Sequence, residues 1–301
     1  MLESTKHQAV TNARASGDYH PGAGNWDIAV SSLLYWAIGI APSKDDYWTT
    51  EVQTGNPYSD NPTEPNWQLQ ALVVGLSTGP NGPSDKVGAS NATLILSTVR
   101  ADGITLQPDR PATIADAALL AVISTGSLPN VRTTSTVLGG FAWHYALAVD
   151  LSDDFVLPVE QGGAGGAGGA TSYAAFDWFS PAQPFAVVPA NGTVSLRKGQ
   201  QQPSAPASAL PIAYVTLVPQ LPGGLWLVGE KGKVVPVSKQ RLSAFTPLDD
   251  GFTATVATPV ADEAVTFLIA PASGVVSEVA CTYSASGSAT LACVMGECSC
   301  K

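Results

Sequence analysis

The segment RASGDYHP, Arg14 to Pro21, sets an arginine four residues ahead of an aspartate in a stretch rich in Gly, Asn and Trp. An aspartate held near a guanidinium can be tuned for proton transfer to a glycosidic oxygen, and the arginine's planar fork can also bind sugar hydroxyls. On these residues alone the plainer reading is the stronger one: a surface turn closed by an Arg14–Asp18 ion pair. Its significance depends on the segments further along the chain.

Outward from this segment, DIAVSSLLYWAIGI (residues 27 to 40) reads as a helix that is apolar on several sides, expected to pack between layers. Pro42–Ser43 ends it, and Ser43-Lys44-Asp45-Asp46 resembles a capping pattern for a short helix carrying Tyr47 and Trp48. Residues 54 to 66 hold Pro and Gly among Asn, Ser and Asp, the composition of a long loop that can carry binding groups. In EPNWQLQALVVGLSTG, Leu69, Leu72, Val73 and Leu76 fall at i, i+3, i+4, i+7, with Pro65 suited to a first turn; this is the clearest helix of the chain. STGPNGPSDKVG is turn-rich with Asp85 and Lys86 at its centre, and a further helix is expected from Ser90 or Asn91 across Leu94 to Val99.

From about Pro129 the character changes. Runs such as FAWHYALAVDL, FAVVPA, TVSLRK, IAYVTLVPQL, GLWLVGE and AVTFLIA are β-branched or aromatic and separated by Gly, Pro, Asn and Asp, an antiparallel sandwich pattern. GGAGGAGGA, Gly162 to Ala170, lacks the lysine and the following Ser or Thr of a phosphate loop and reads as a flexible linker.

Composition narrows the function classes. With 301 residues, 45% hydrophobic and only 13% charged, the chain has ample material for a core and is not disordered. The net charge of -10 and the absence of a basic patch argue against nucleic acid, and no apolar run reaches the ~18 residues of a membrane span. The stretch from Met1 to Asp18 has no apolar centre of a leader peptide, while the sequons at Asn91 and Asn191 would suit a secreted parent. Cys281, Cys293, Cys298 and Cys300 match no zinc spacing and have no histidine nearby, so two disulfides or buried thiols are expected, with no metal and no cofactor.

No G-x-S-x-G elbow accompanies His7, His20 and His144, and His144, alternating with apolar neighbours, reads as a half-buried sheet residue. Trp26, Trp36, Trp48 and Trp67 are each able to stack on a sugar ring, though a tryptophan is more often a core residue. Carboxylates are plentiful in the first half (Asp45, Asp46, Asp60, Glu64, Asp85), with no distance between them legible.

Three stretches taken together resemble the raffinose synthase and alkaline α-galactosidase family of glycoside hydrolases. RASGDYHPGAGNWDIAVSSLLYW is similar to that family's RxSDDF segment and its helix, ALVVGLSTGPNGPSDKVG to its GGPxYVSDKPG segment, and RADGITLQPDRPATIADA to its DGSxLRxxxPGRPTxDC run. Order and spacing agree, closely to about Ala121 and loosely beyond. The resemblance implies the C-terminal part of a (β/α)8 barrel over residues 1–127 and an antiparallel β-sandwich over 128–301. It implies Asp18 as the acid/base, with Arg14, Tyr19, Trp48 and Asp85 at the substrate. Gly17 stands where the family has a further aspartate, and Trp48-Thr49 where it has Trp-Asp.

A retaining mechanism needs two carboxylates about 5 Å apart, and the family's nucleophile strand has no counterpart ahead of Arg14. The expectation is therefore part of a retaining glycosidase or transglycosidase of α-galactosides, inactive alone, whose parent chain supplies the other barrel half. Its partner is an oligosaccharide substrate, not nucleic acid or a membrane. The rival from another class is a non-catalytic carbohydrate-binding or structural β-protein in which Arg14 and Asp18 form only a salt bridge.

Overall fold

The computed structural model describes residues 10–57, 63–159, 169–200, 202–261, 263–272, 274–283, 285 and 287–301. His7, Asp60 and most of the GGAGGAGGA run lie outside the described residues.

The centre is a six-stranded antiparallel sheet, in the order β3 (Thr113–Ile114), β4 (Val131–Leu138), β5 (Phe141–Val149), β10 (Ile212–Pro219), β7 (Ser172–Asp177), β8 (Ala186–Pro189). Its two long central strands, FAWHYALAV and IAYVTLVP, are buried at every position, because both faces of the sheet are covered. On one face Trp143, Tyr145, Leu147 and Tyr214 pack against Leu69, Leu72 and Val73 of helix α2 (Trp67–Gly75) and against Leu227, Val234 and Val237. On the other, small side chains (Ala146, Ala148, Ala175, Ala213) admit Ala118 of α4 (Asp116–Thr125) and Leu157, Val194 and Leu196 of a hairpin-like pair, β6 (Phe155–Pro158) with β9 (Thr193–Leu196).

Two further sheets complete the strand-rich half: β11 (Trp226–Glu230) with β14 (Thr266–Ala270) and β15 (Ser277–Ala280), and β12 (Leu242–Leu248) with β13 (Gly251–Thr258), β16 (Gly287–Val294) and β17 (Glu297–Cys300). Gly251 (φ +158°) sits where an added Cβ would meet the Cys293 carbonyl oxygen at 1.8 Å, so the β12–β13 turn admits only glycine there. Two disulfides resolve the choice between bridges and free thiols that spacing left open: Cys293–Cys298 staples β16 to β17, and Cys281–Cys300 ties the chain just after β15 to the end of β17.

The barrel expected over residues 1–127 is not there. Strand makes up 37% and helix 14%, and the described residues hold four helices rather than a ring of alternating parallel strands and helices. The parallel pairing between named strands is confined to β1 (Asn12–Arg14) and β2 (Ala41–Ser43), joined through helix α1 (Ala29–Ala37). The next strand, β3, instead joins β4 antiparallel. A βαβ unit of three-residue strands is too small to close on itself.

Local expectations fare unevenly. α2 forms where the i, i+3, i+4, i+7 pattern placed it, and Leu69 through Gly75 are all buried. Helix α3 (Ala92–Leu96) starts after Asn91, whose side chain accepts the Leu94 N–H at 3.1 Å as an N-cap, but stops short of Val99. Tyr47 and Trp48 lie in extended chain, not a short helix, because Tyr47 bridges to Pro83. α1 buries only Ala29 and Ser32; Val30, Leu33, Leu34 and Trp36 stay exposed, because a two-stranded sheet offers one covering layer and not two.

Buried charge ties these layers together. Arg241, 1% exposed, donates from Nε to Glu230 at 2.8 Å and from its terminal nitrogens to Glu263 at 2.6 Å and to the Ala257 carbonyl at 2.6 Å. Burial raises the Glu230 carboxyl above its ordinary pKa despite the guanidinium beside it. Removing one member strands the others, a loss of roughly 3–5 kcal/mol. Arg241→Ala is thus expected to lower the unfolding free energy by about that amount in urea titration, whereas the exposed pair Lys231–Glu278, broken by Lys231→Ala, should cost at most ~1 kcal/mol.

Candidate active-site pocket

β1 and β2 run parallel, so their carboxyl ends open on the same side, and the residues following each strand converge there. In open parallel sheets this crevice is where binding groups collect. From β1 come Ser16, Asp18 and Tyr19; from β2 come Lys44 through Trp48; the 82–86 loop joins them, with Tyr47 N–H donating to the Gly82 carbonyl and Ser84 N–H to that of Tyr47.

Here the chain encloses a cavity of about 360 Å³ lined by Tyr19, Pro21, Asp46, Trp48, Asn56, Ser84 and Asp85. Three residues expected at the substrate, Tyr19, Trp48 and Asp85, are thus brought together. Arg14 and Asp18 stand outside this lining. Arg14 donates to Asp18 at 2.7 Å and to Asp45 at 3.1 Å, and the Asp18 side chain is 76% exposed.

Behind the cavity Glu64, 0% exposed, accepts the Tyr19 hydroxyl at 2.8 Å and Gln70 Nε2 at 3.2 Å, together with the backbone N–H groups of Gly22 at 3.2 Å and Asn66 at 2.8 Å. The Tyr19 oxygen in turn accepts the Trp48 N–H at 3.2 Å, so Glu64 fixes the tyrosine that forms one wall. Burial, and then the Glu64 charge, push the Tyr19 hydroxyl far above its ordinary pKa, so it remains a donor throughout the physiological range. Asp85 is held with equal firmness. It accepts from Thr49 N–H at 2.7 Å, Thr49 Oγ1 at 2.6 Å and the Gln53 side-chain amide.

Lys44 is buried between the rings of Tyr19 and Tyr47, its Nζ 4.8 Å and 5.5 Å from their centroids, and donates to the Asp45 carbonyl at 2.9 Å. Burial lowers its pKa to about 8, against the partial support of the neighbouring carboxylates. The adjacent acids divide. Burial pushes Asp45 up, but N–H donors from Tyr19 and Asp46 and the Arg14 guanidinium outweigh it and leave that carboxyl below its ordinary value. Burial and the Asp45 charge raise Asp46. The two neighbouring carboxyls are thus driven in opposite directions by their surroundings. Asp46 is the one that faces the cavity.

In the sequence Asp46 and Glu64 are only two among many carboxylates, and Lys44 reads as part of a helix cap. For Glu64 a signal existed: an acid just ahead of a helix start, where free N–H groups favour negative charge. For Lys44 none did, since only the fold encloses it between two rings. Among the described residues no cluster of His, Cys, Asp and Glu is arranged to hold a metal. No protein-family model and no curated protein matches the chain.

The sign of the Lys44 effect on stability can be measured. Its pKa of about 8 in the folded protein lies below the ordinary 10.5, so over that window the unfolded chain carries a proton the folded one has shed. Stability therefore rises with pH, by about 1.4 kcal/mol per unit at most. Urea titrations at pH 8 and pH 10 should show this rise in the wild type and a flatter response in Lys44→Met; equal slopes in the two would count against the assignment.

Proposed function

We propose that this chain binds an α-galactoside-type oligosaccharide in the cavity beside Tyr19, and that binding rather than turnover is what it does alone. The carrying observation is the pairing of Asp46, a cavity carboxyl with a raised pKa, with two aromatic walls in a cavity large enough for a sugar ring. A carboxyl of this kind either accepts or donates a hydrogen bond to a sugar hydroxyl, and Tyr19 and Trp48 offer apolar surface to its C–H face. Arg14 and Asp18 lie outside the cavity lining, and in this reading the guanidinium donates to a hydroxyl of a second sugar unit while Asp18 accepts from one.

Binding is preferred over hydrolysis for a chemical reason. Asp85, the other carboxylate of the cavity lining, accepts three hydrogen bonds from Thr49 and Gln53, two on Oδ1 and one on Oδ2, and these hold it in place and lower its nucleophilicity toward an anomeric carbon.

Raffinose titrated against the chain with tryptophan fluorescence as readout is the test. Saturable binding is expected, weakened by about tenfold in Asp46→Asn and less in Asp18→Asn, with no release of p-nitrophenol from p-nitrophenyl α-galactoside. Absence of raffinose binding overturns the reading. Turnover that disappears in Asp18→Asn replaces it with the hydrolase.

A further inference from the structure

A second cavity, also of about 360 Å³, lies on the small-residue face of the central sheet and shares no lining residue with the first. Its floor is Ala213 and Val215 of β10, both nearly buried. One wall is the ring of Phe185, which is 47% exposed just ahead of β8; the rim is Asp177, Ser195, Arg197, Lys198 and Gln200.

The polar groups of the rim are not equivalent. The Lys198 ammonium turns away to the Ser152 carbonyl at 3.2 Å and to Asp153 at 3.3 Å, so its charge is already answered. Asp177 is held in place rather than used up: Oδ1 accepts the Phe179 N–H at 3.0 Å and Oδ2 accepts Gln200 Nε2 at 2.7 Å, and each carboxylate oxygen can take a further donor. Arg197 has no hydrogen bond or ion pair among the described residues. The rim therefore offers one fixed acceptor and one available planar fork of donors, above an apolar floor and beside an aromatic ring.

That combination selects by charge and by shape. An anion meets Asp177 and a cation meets Arg197, so neither sign is favoured. A neutral ring with hydroxyls on its edge and C–H groups on its face satisfies all three features together: hydroxyl donors to Asp177, hydroxyl acceptors for Arg197, and an apolar face on Phe185, Ala213 and Val215. We infer that this cavity is a second saccharide-binding site, taking a single pyranose unit. The inference stands on this cavity's own residues and does not require the pocket beside Tyr19 to bind sugar.

Saturation-transfer NMR on the full chain carrying Asp46→Asn, with galactose, glucose and raffinose as probes, tests it apart from the first pocket. Transfer to the ring C–H protons of at least one probe is expected to persist in that variant. Adding Phe185→Ala or Arg197→Ala should weaken it by about tenfold or more. Arg197 is an exposed side chain outside the core, so its variant keeps the comparison valid should Phe185→Ala fold poorly. No transfer to any of the three probes, or transfer that survives both second substitutions, overturns the site. So does sulfate binding that displaces the sugar and is lost in Arg197→Ala, which would mark an anion site instead. A partial loss on Asp46→Asn is the share of the pocket beside Tyr19, and the transfer that remains supports the second site if it falls on Arg197→Ala.

Discussion

The constraint on which the rest depends is an irregular stretch of backbone, residues 233 to 237, buried between sheets with no strand partner of its own along most of its length. Buried carbonyls without partners are costly, and here aromatic side chains of the central sheet and its margin supply the donors. Tyr145 donates to the Val237 carbonyl at 2.7 Å, Tyr214 to that of Val234, and the Trp178 indole to that of Lys233 at 2.7 Å, while Trp143 reaches Leu227 at 2.7 Å. Each of these side chains buries a large apolar body and ends in a polar group, so it fills the space between layers and satisfies the backbone across it. Layers bonded in this way are fixed in register across the core.

The same segment anchors the first half of the chain. Lys233 donates to the Leu96 and Val99 carbonyls at 2.7 Å and 2.9 Å, and Ser238 to that of Gln107 at 3.0 Å. At the other end Arg132, nearly buried in β4, grips Asp27 at 3.1 Å and stacks on Trp26. The loops around the first cavity are therefore fixed from behind and below. This explains how strands of only three residues can position the polar lining of the cavity: the rigidity comes from the buried Glu64 and Lys44 and the half-buried Asp85, each multiply bonded, and not from the small parallel sheet.

How far the sequence could be read varied with the kind of signal. The strand-rich half was legible because Val, Ile, Tyr and Phe runs between Gly and Pro depend on local preference and burial alone. α2 was legible for the same reason. The barrel was not, because it came from motif resemblance over the first 121 residues, and short motifs carry no information about whether enough strands exist to close a ring. α1 misled in a different way: apolar side chains on several faces implied two covering layers, and the fold provides one.

The sequence by itself determined where α2 forms, that the second half is strand-rich, which cysteines are available for bridging, and that the protein is acidic with little to offer a phosphate backbone. These follow from side-chain volume, backbone preference and charge, quantities each residue carries with it. Only the tertiary structure decided which carboxylates matter. Asp18, the acid singled out by motif, is a solvated partner of Arg14, whereas Asp46 faces a cavity and Glu64 is sealed behind it. The chemistry of a carboxyl group is set by its desolvation and its neighbours' charges, and both come into being only when distant segments pack together.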